Sequence, residues 1–215
     1  MITVIGSLKG GSGKSTVTFN LAVWLALSGQ RVLAIDLDPQ ATLTDVAYVR
    51  SEEGYKPKIR VIGRREWAAG INYDDYDEVL VDVGTADMES LKKALLSADK
   101  IVVPVPPSQA DVWATQRFLH IVGPDIEAVK AHGRQQTLAF VNRADTNKSI
   151  RETHETEAAL RMLPGIDVVL PHRLRTRTGF RRSLSEGMTV FEMSPRSQAA
   201  QEFNSLAGAL YPELV

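Results

Sequence analysis

Short apolar runs alternate with polar stretches of helical period along the whole chain. Ile2, Val4 and Ile5 form the first run, and Arg31-Val32-Leu33-Ala34-Ile35 the second, ending at Asp36. Val79-Leu80-Val81-Asp82-Val83, Lys100-Ile101-Val102-Val103-Pro104-Val105, Thr137 to Val141 and Ile166 to Leu170 follow, with a weaker run at 58–62. Near-continuous apolar runs of this length predict strands covered on both faces. Between the first two, Val17, Leu21, Trp24, Leu25 and Ser28 recur on one helical face, and Gly29 is the expected C-cap. The spacing predicts further helices over 88–97, 108–122, 148–162 and from about Arg196 to Leu210, with Pro124 interrupting the pattern before a restart near 125–131. Pro39 to Val49 reads as helix or switch-like loop, and 50–76 is weakly patterned, with turn chemistry at Asp74-Asp75. Ile166 to Leu170 is the expected last strand, ahead of an arginine-rich segment.

Strands alternating with helices imply right-handed crossovers. The fold class is therefore α/β: one domain, 1–215, three layers deep, with a mostly parallel twisted sheet between helices. Ligands of such sheets bind beyond the carboxyl ends of the strands. Gly6, Asp36, Asp82, Pro104 and Asn142 stand at those ends and are expected to converge on one rim.

The first of them opens a loop with chemistry of its own, Ser7-Leu8-Lys9-Gly10-Gly11-Ser12-Gly13-Lys14-Ser15-Thr16. Strand, glycine loop and helix in succession make a phosphate cradle. Gly10, Gly11 and Gly13 let successive N–H groups point at phosphate oxygens, and the following helix adds its positive end. Lys14 can reach the terminal phosphates and the Ser15 hydroxyl can ligate Mg²⁺. Asp82, delivered by an apolar strand, suits a carboxylate beside that ion. The usual pattern asks for glycine at position 8; here it is Leu8, and an extra lysine, Lys9, stands at the loop entry.

That version of the loop, together with Asp36-Leu37-Asp38-Pro39-Gln40, the strand ending at Asp82, Pro104-Val105-Pro106-Pro107-Ser108 with Asp111, and Glu186-Gly187 leading to Val190-Phe191, resembles the ParA/MinD family of ATPases with a deviant Walker A box. The small partition ATPases of plasmids resemble it most in length. The resemblance covers nearly the whole chain and implies the P-loop NTPase fold, with ATP and Mg²⁺ as cofactors. It implies that residues Lys9 to Thr16 hold the phosphates, that Ser15, Asp36 and Asp82 serve the metal, and that Asp38 orients the attacking water. It makes Lys9, Lys14, Asp38 and Asp82 the catalytic set and gives Gly84 an N–H near the terminal phosphate, with 84–90 as a switch. Asn142 and Arg143 would meet adenine, flanked by Pro171 and His172. Lys9 would cross a two-fold interface to its partner's nucleotide, so the resemblance implies an ATP-dependent homodimer and slow, partner-stimulated hydrolysis. The implied role is moving DNA or another cargo with a ParB-like adaptor. Ser7 and Leu8 depart from the family pattern without removing a catalytic group.

Composition narrows the alternatives. The chain carries 25 Lys+Arg against 26 Asp+Glu, a net charge of −1, so any nucleic-acid affinity must come from a local patch. Arg173, Arg175, Arg177, Arg181 and Arg182 supply one, with no acid among residues 172–182, and are the candidate contacts to DNA phosphates. No base-reading helix is evident, and no separate N-terminal DNA-binding domain is expected. There are no cysteines, which removes disulfides and cysteine-held clusters and fits a cytoplasmic protein; the family resemblance implies that it is nucleoid-associated when ATP-bound. No membrane partner is expected: Phe203, Leu206, Ala207 and Leu210 make an apolar stripe, but Glu202 and Glu213 flank it and no Lys or Arg follows Arg196. A protein cargo, a membrane switch of the MinD kind and a metabolic P-loop enzyme are the alternatives.

Overall fold

The computed structural model describes residues 1–84, 87–130, 133, 135–147 and 149–215, with the side chain of residue 125 excepted. Its strands are β1 (Ile2–Ile5), β2 (Val32–Asp36), β3 (Arg60–Gly63), β4 (Glu78–Asp82), β5 (Lys100–Val105), β6 (Gln136–Ala144), β7 (Val168–Val169) and β8 (Leu174–Arg175). They form one sheet in the order β3-β2-β4-β1-β5-β6-β7, with β8 also pairing β6. Every pairing is parallel. The α/β class read from the apolar runs is the one observed.

The helices are α1 (Lys14–Leu27), α2 (Thr42–Glu52), α3 (Arg64–Ala68), α4 (Met88–Leu96), α5 (Gln109–Lys130), α6 (Glu152–Arg161), α7 (Thr178–Ser185), α8 (Val190–Met193) and α9 (Gln198–Leu210). They cover both faces, so the central strands are buried throughout. One apolar cluster joins Val4, Leu33, Val79 and Val103 to Leu91 and Leu95 of α4 and Phe118 and Val122 of α5. The other joins Ile5, Leu80, Val102 and Phe140 to Leu21 and Leu25 of α1 and Phe203 and Leu206 of α9. The stripe on α9 is therefore core, as expected of a helix whose apolar positions repeat at 3.6 residues. Among the described residues no helix is long and apolar enough to cross a membrane.

Three expectations need correction. Pro124 does not interrupt the fifth helix: α5 runs unbroken from Gln109 to Lys130. Phe118, Leu119, Val122 and Ile126 are buried on both sides of the proline, and that packing outweighs one missing N–H. The strand after α6 is shorter than its apolar run, because Pro171 has no N–H to continue the ladder. Nor is it the last: Leu174–Arg175 returns to pair with β6 at Asn142 and Ala144.

A buried arginine ties the helices beside the carboxyl rim. Arg50 of α2 is only 1% exposed. Its guanidinium donates to both carboxylate oxygens of Glu192, at 2.9 and 2.7 Å, and to the carbonyls of Gly187 and Pro57. Glu192 in turn closes a capping box with Thr189 at the start of α8. Each of the three guanidinium nitrogens of Arg50 thus finds an acceptor, which is the condition for a buried charge to be tolerated.

Candidate functional site

The strand ends converge as the topology requires. Asp36 and Asp82 are register partners across β2 and β4, and Ile5 is the partner of Asp82 across β1. Above them lies a cavity of about 760 Å³ whose lining includes Gly13, Lys14, Ser15, Asp38, Asn142 and Arg143. Gly10, Gly11 and Thr16 also line it.

The loop from β1 to α1 adopts left-handed backbone at Gly11 (φ +75°) and at Gly13 (φ +93°). A Cβ on Gly13 would stand 2.3 Å from Nδ2 of Asn142, so glycine is required there for space as well as for conformation. Gly13 is the N-cap of α1, no side chain caps that end, and the first turn holds no acid. The unpaired N–H groups and the positive end of the helix dipole are therefore left for an anion. Ser12 is buried, and its hydroxyl shares a 2.8 Å hydrogen bond with Ser7, which braces the loop at its base.

Lys14 is buried at the cavity floor, where burial lowers the pKa of its ammonium, opposed by the charges of Asp82 and Asp38. Asp82 is fully buried, and neither of its carboxylate oxygens has a hydrogen-bond partner among the described residues. Burial pushes its pKa up to about 7; the Ser15 hydroxyl and Lys14 oppose the shift, while Asp36 and Asp38 reinforce it. Two orphaned oxygens next to a hydroxyl and a second carboxylate fit a hydrated divalent cation. Among the described residues no cluster of three or more His, Asp or Glu could hold a metal alone.

Asp36 is already engaged. It accepts from the Thr44 N–H and hydroxyl, each at 2.8 Å, and from the Asp38 N–H at 3.1 Å. It thereby fixes the first turn of α2 to the rim. Asp38 accepts from the Gln40 N–H at 2.9 Å. A Cβ on Gly84 would fall 2.7 Å from the Asp38 carboxyl carbon, so Gly84 is what lets the two loops close. Thr85 and Ala86 of the expected switch lie outside the described residues.

Lys9 does not reach into this cavity. Its ammonium pairs at 2.9 Å with Asp111 of α5, whose other oxygen accepts from Ser108. The lysine is half-exposed and the aspartate buried. The far wall of the cavity comes from residues that the apolar pattern did not mark, notably Leu174, Thr176, Phe180 and Leu184. The i, i+4 pair Phe180 and Leu184 on α7 was the available signal.

The structure places the remaining candidates differently. Asn142 and Arg143 line the cavity, and each donates one hydrogen bond to a carbonyl of the loop. Pro171 and His172 lie in a second, smaller groove beside Arg173 and Glu202, because the chain reaches the rim only where β8 rejoins β6. The arginine segment has no acid in sequence but finds acids in space. Arg173 pairs with Glu157 of α6, Arg175 and Arg177 share Glu202 of α9, and Arg182 pairs with Glu186. Arg181 lines the nucleotide-sized cavity.

A parallel sheet carrying a glycine loop between its first strand and first helix, with a buried aspartate at the neighbouring strand end, defines a P-loop nucleotide-binding protein. The model of the CobQ/CobB/MinD/ParA nucleotide-binding domain matches residues 3–190, and the chain belongs to that family. It is 25% identical over 213 residues to the maintenance of carboxysome distribution protein A of Halothiobacillus neapolitanus, covering 97% of this chain and 95% of that one. It is 27% identical to the chromosome-partitioning ATPase Soj of Thermus thermophilus, covering 94% and 92%. In fold it is similar to the MinD of the Aquifex aeolicus MinC:MinD complex, with a TM-score of 0.73, 19% identity and coverage of 98% and 95%. The apo McdA of Cyanothece gives a TM-score of 0.71 at 19% identity, covering 97% and 98%.

Proposed function

We propose that this chain is an ATP hydrolase that dimerises around two ATP molecules and, in that form, holds a cargo on DNA through a ParB-like adaptor. The observation carrying this reading is the pairing of a complete phosphate cradle with Lys9, a second loop lysine held at the edge of the site by a buried aspartate. A lysine kept outside its own cavity by an ion pair is free to serve a partner's nucleotide once that pair opens. Across a two-fold axis the arrangement is reciprocal.

Within one protomer the chain's own groups divide the work. The N–H groups of the loop and of the start of α1 bind and orient the phosphates, and Lys14 neutralises their charge from a site that excludes water. Ser15 and Asp82 would hold Mg²⁺, with Asp36 steadying its waters; when bound, the ion would supply positive charge against that developing on the phosphates. Asp38, held against Gly84, is positioned to orient a water for attack. Lys9 of the partner would supply a cation to the leaving phosphates, the logic of an arginine finger.

The ion pairs in the arginine segment refine the DNA reading. Glu157 offsets Arg173, Glu186 offsets Arg182, and Glu202 offsets only one of Arg175 and Arg177, so Arg181 and one charge of the Arg175–Arg177 pair carry the surplus. A protein cargo is the second reading. It is favoured by the full-length similarity to a protein named for carboxysome distribution.

Retention of the protein on bulk DNA, measured with ATP, ADP and no nucleotide at two salt concentrations, tests the proposal. ATP-selective, salt-sensitive retention is the expected result. Lys9→Ala should still bind ATP but remain monomeric and unretained. Equal retention in all three nucleotide states, or a wild-type monomer with Mg-ATP, would overturn it.

A further inference from the structure

We infer that Asn142 and Arg143 are positioning residues of the phosphate loop: they hold two loop carbonyls so that the loop's N–H groups face the phosphates. The inference rests on the nucleotide-binding reading of the cavity.

The local geometry comes from a bulge. β6 pairs with β8 through Asn142 opposite Leu174 and Ala144 opposite Arg175, so Arg143 is an extra residue between two register partners. Bulges re-aim a side chain at the price of broken pairing, and they gather beside functional sites. Arg143 takes left-handed backbone there, at φ +58°, which a residue other than glycine seldom adopts. Its carbonyl is fixed by the Thr176 hydroxyl at 3.0 Å. So turned, its guanidinium donates to the Gly11 carbonyl at 2.8 Å.

Asn142 does the same one residue further along. It is 6% exposed, and its Nδ2 donates to the Ser12 carbonyl at 2.6 Å. Its Oδ1 accepts from the Arg143 N–H at 3.0 Å. One amide hydrogen and one lone pair of the amide oxygen are thus committed inside the protein, which fixes the side chain against the loop. Gly13 has no Cβ where Nδ2 passes, so the loop and Asn142 are mutually fitted.

A trans peptide points its C=O and its N–H in opposite directions. Holding the Gly11 and Ser12 carbonyls toward β6 therefore turns the Ser12 and Gly13 N–H groups to the opposite side. No described residue accepts from either N–H. Two adjacent free N–H groups facing one way are the start of an anion nest. The clamp supplies their orientation before any ligand arrives, so binding does not have to order the loop.

The test compares ATP, GTP and inorganic tripolyphosphate, each with Mg²⁺, binding to wild type and to Asn142→Ala, Asn142→Asp, Arg143→Ala and Arg143→Lys. Melting of the ligand-free proteins is followed alongside. A clamp predicts that Asn142→Ala, Asn142→Asp and Arg143→Ala each weaken all three ligands by the same factor, about tenfold, as for loss of one buried hydrogen bond. Arg143→Lys should recover most of that loss, and ligand-free melting should stay near that of wild type. Intact tripolyphosphate binding with altered ATP-to-GTP preference would make these residues base readers and overturn the inference, as would unchanged affinity throughout. Should an Asn142 variant fail to fold, the two Arg143 variants decide. A wild type that binds none of the three ligands removes the nucleotide reading and the clamp together; a wild type that binds ATP equally to its variants removes the clamp alone.

Discussion

Strand β4 carries a buried carboxylate at each end, and the two are treated differently. Glu78 begins the strand and Asp82 ends it, and burial pushes both up to about 7. Each has at least one carboxylate oxygen without a hydrogen-bond partner among the described residues. Around Glu78 the protein has sealed the sheet with its own groups. The amino terminus and Lys100 oppose the burial, and the Lys100 ammonium also donates to the Leu210 carbonyl at 2.5 Å and lies over the Tyr211 ring. Tyr211 is buried and shares a 2.9 Å hydrogen bond with Thr3. Around Asp82 the opposing groups are Lys14 and the Ser15 hydroxyl, and both of these line the cavity. The same electrostatic burden is met at one end by groups packed into the protein and at the other by groups that face a ligand-sized space. Unsatisfied charge alone does not mark a functional site; unsatisfied charge beside an open cavity and a helix start does.

The sharpest way to break this comparison is Asp82→Asn. It should lower ATP turnover by about 10²–10³, the size of effect seen when one preorganised group leaves a transition-state site. It should also abolish the Mg²⁺-dependent part of ATP's effect on melting. Normal Mg²⁺ dependence in that variant would mean the two ends are alike.

Glu78→Gln is the counterpart. The folded pKa is raised above the 4.5 of a free carboxyl, so the native state holds the proton more tightly. Stability is then full below about pH 4.5 and declines as pH rises toward 7 and beyond. Glu78→Gln should match wild type at pH 5 and exceed it by about 2–3 kcal/mol at pH 8, with turnover unchanged. Chemical denaturation at the two pH values reads this directly, and a fall in turnover would make the closed end functional after all. Tyr211→Phe is the mildest probe. Losing the hydrogen bond to Thr3 should cost about 1 kcal/mol at either pH and leave ATP binding as it was.

The open end was far more legible in the sequence than the closed one. Glycines, Lys14, Ser15 and the terminal aspartates of apolar strands are residues whose chemistry is local, so adjacency in sequence already groups them. Glu78, Lys100 and Tyr211 are each unremarkable in their own segment and meet only because β4, β5 and the end of α9 come together. The surroundings of the arginine segment were hidden for the same reason. Its acids, Glu157 and Glu202, sit on α6 and α9, and no reading of residues 172–182 could pair them. Asn142 and Arg143 were visible as polar residues at a strand end. Their aim was not, because it depends on a bulge created by β8, a strand too short to leave an apolar run. Pro124 shows the converse, a strong local signal overruled by packing on both sides of it.

Arg50 sets a limit on how the molecule can be cut. The family's shared domain ends at residue 190, yet the carboxylate that neutralises this interior guanidinium belongs to Glu192. An excised 3–190 fragment would keep the whole phosphate loop, yet it would strip Phe203 and Leu206 of α9 from the core and strand a cation in the interior, the latter alone a defect of about 3–5 kcal/mol. Minimal versions of this protein therefore have to carry the stretch past 190, even though it contributes nothing to the cradle.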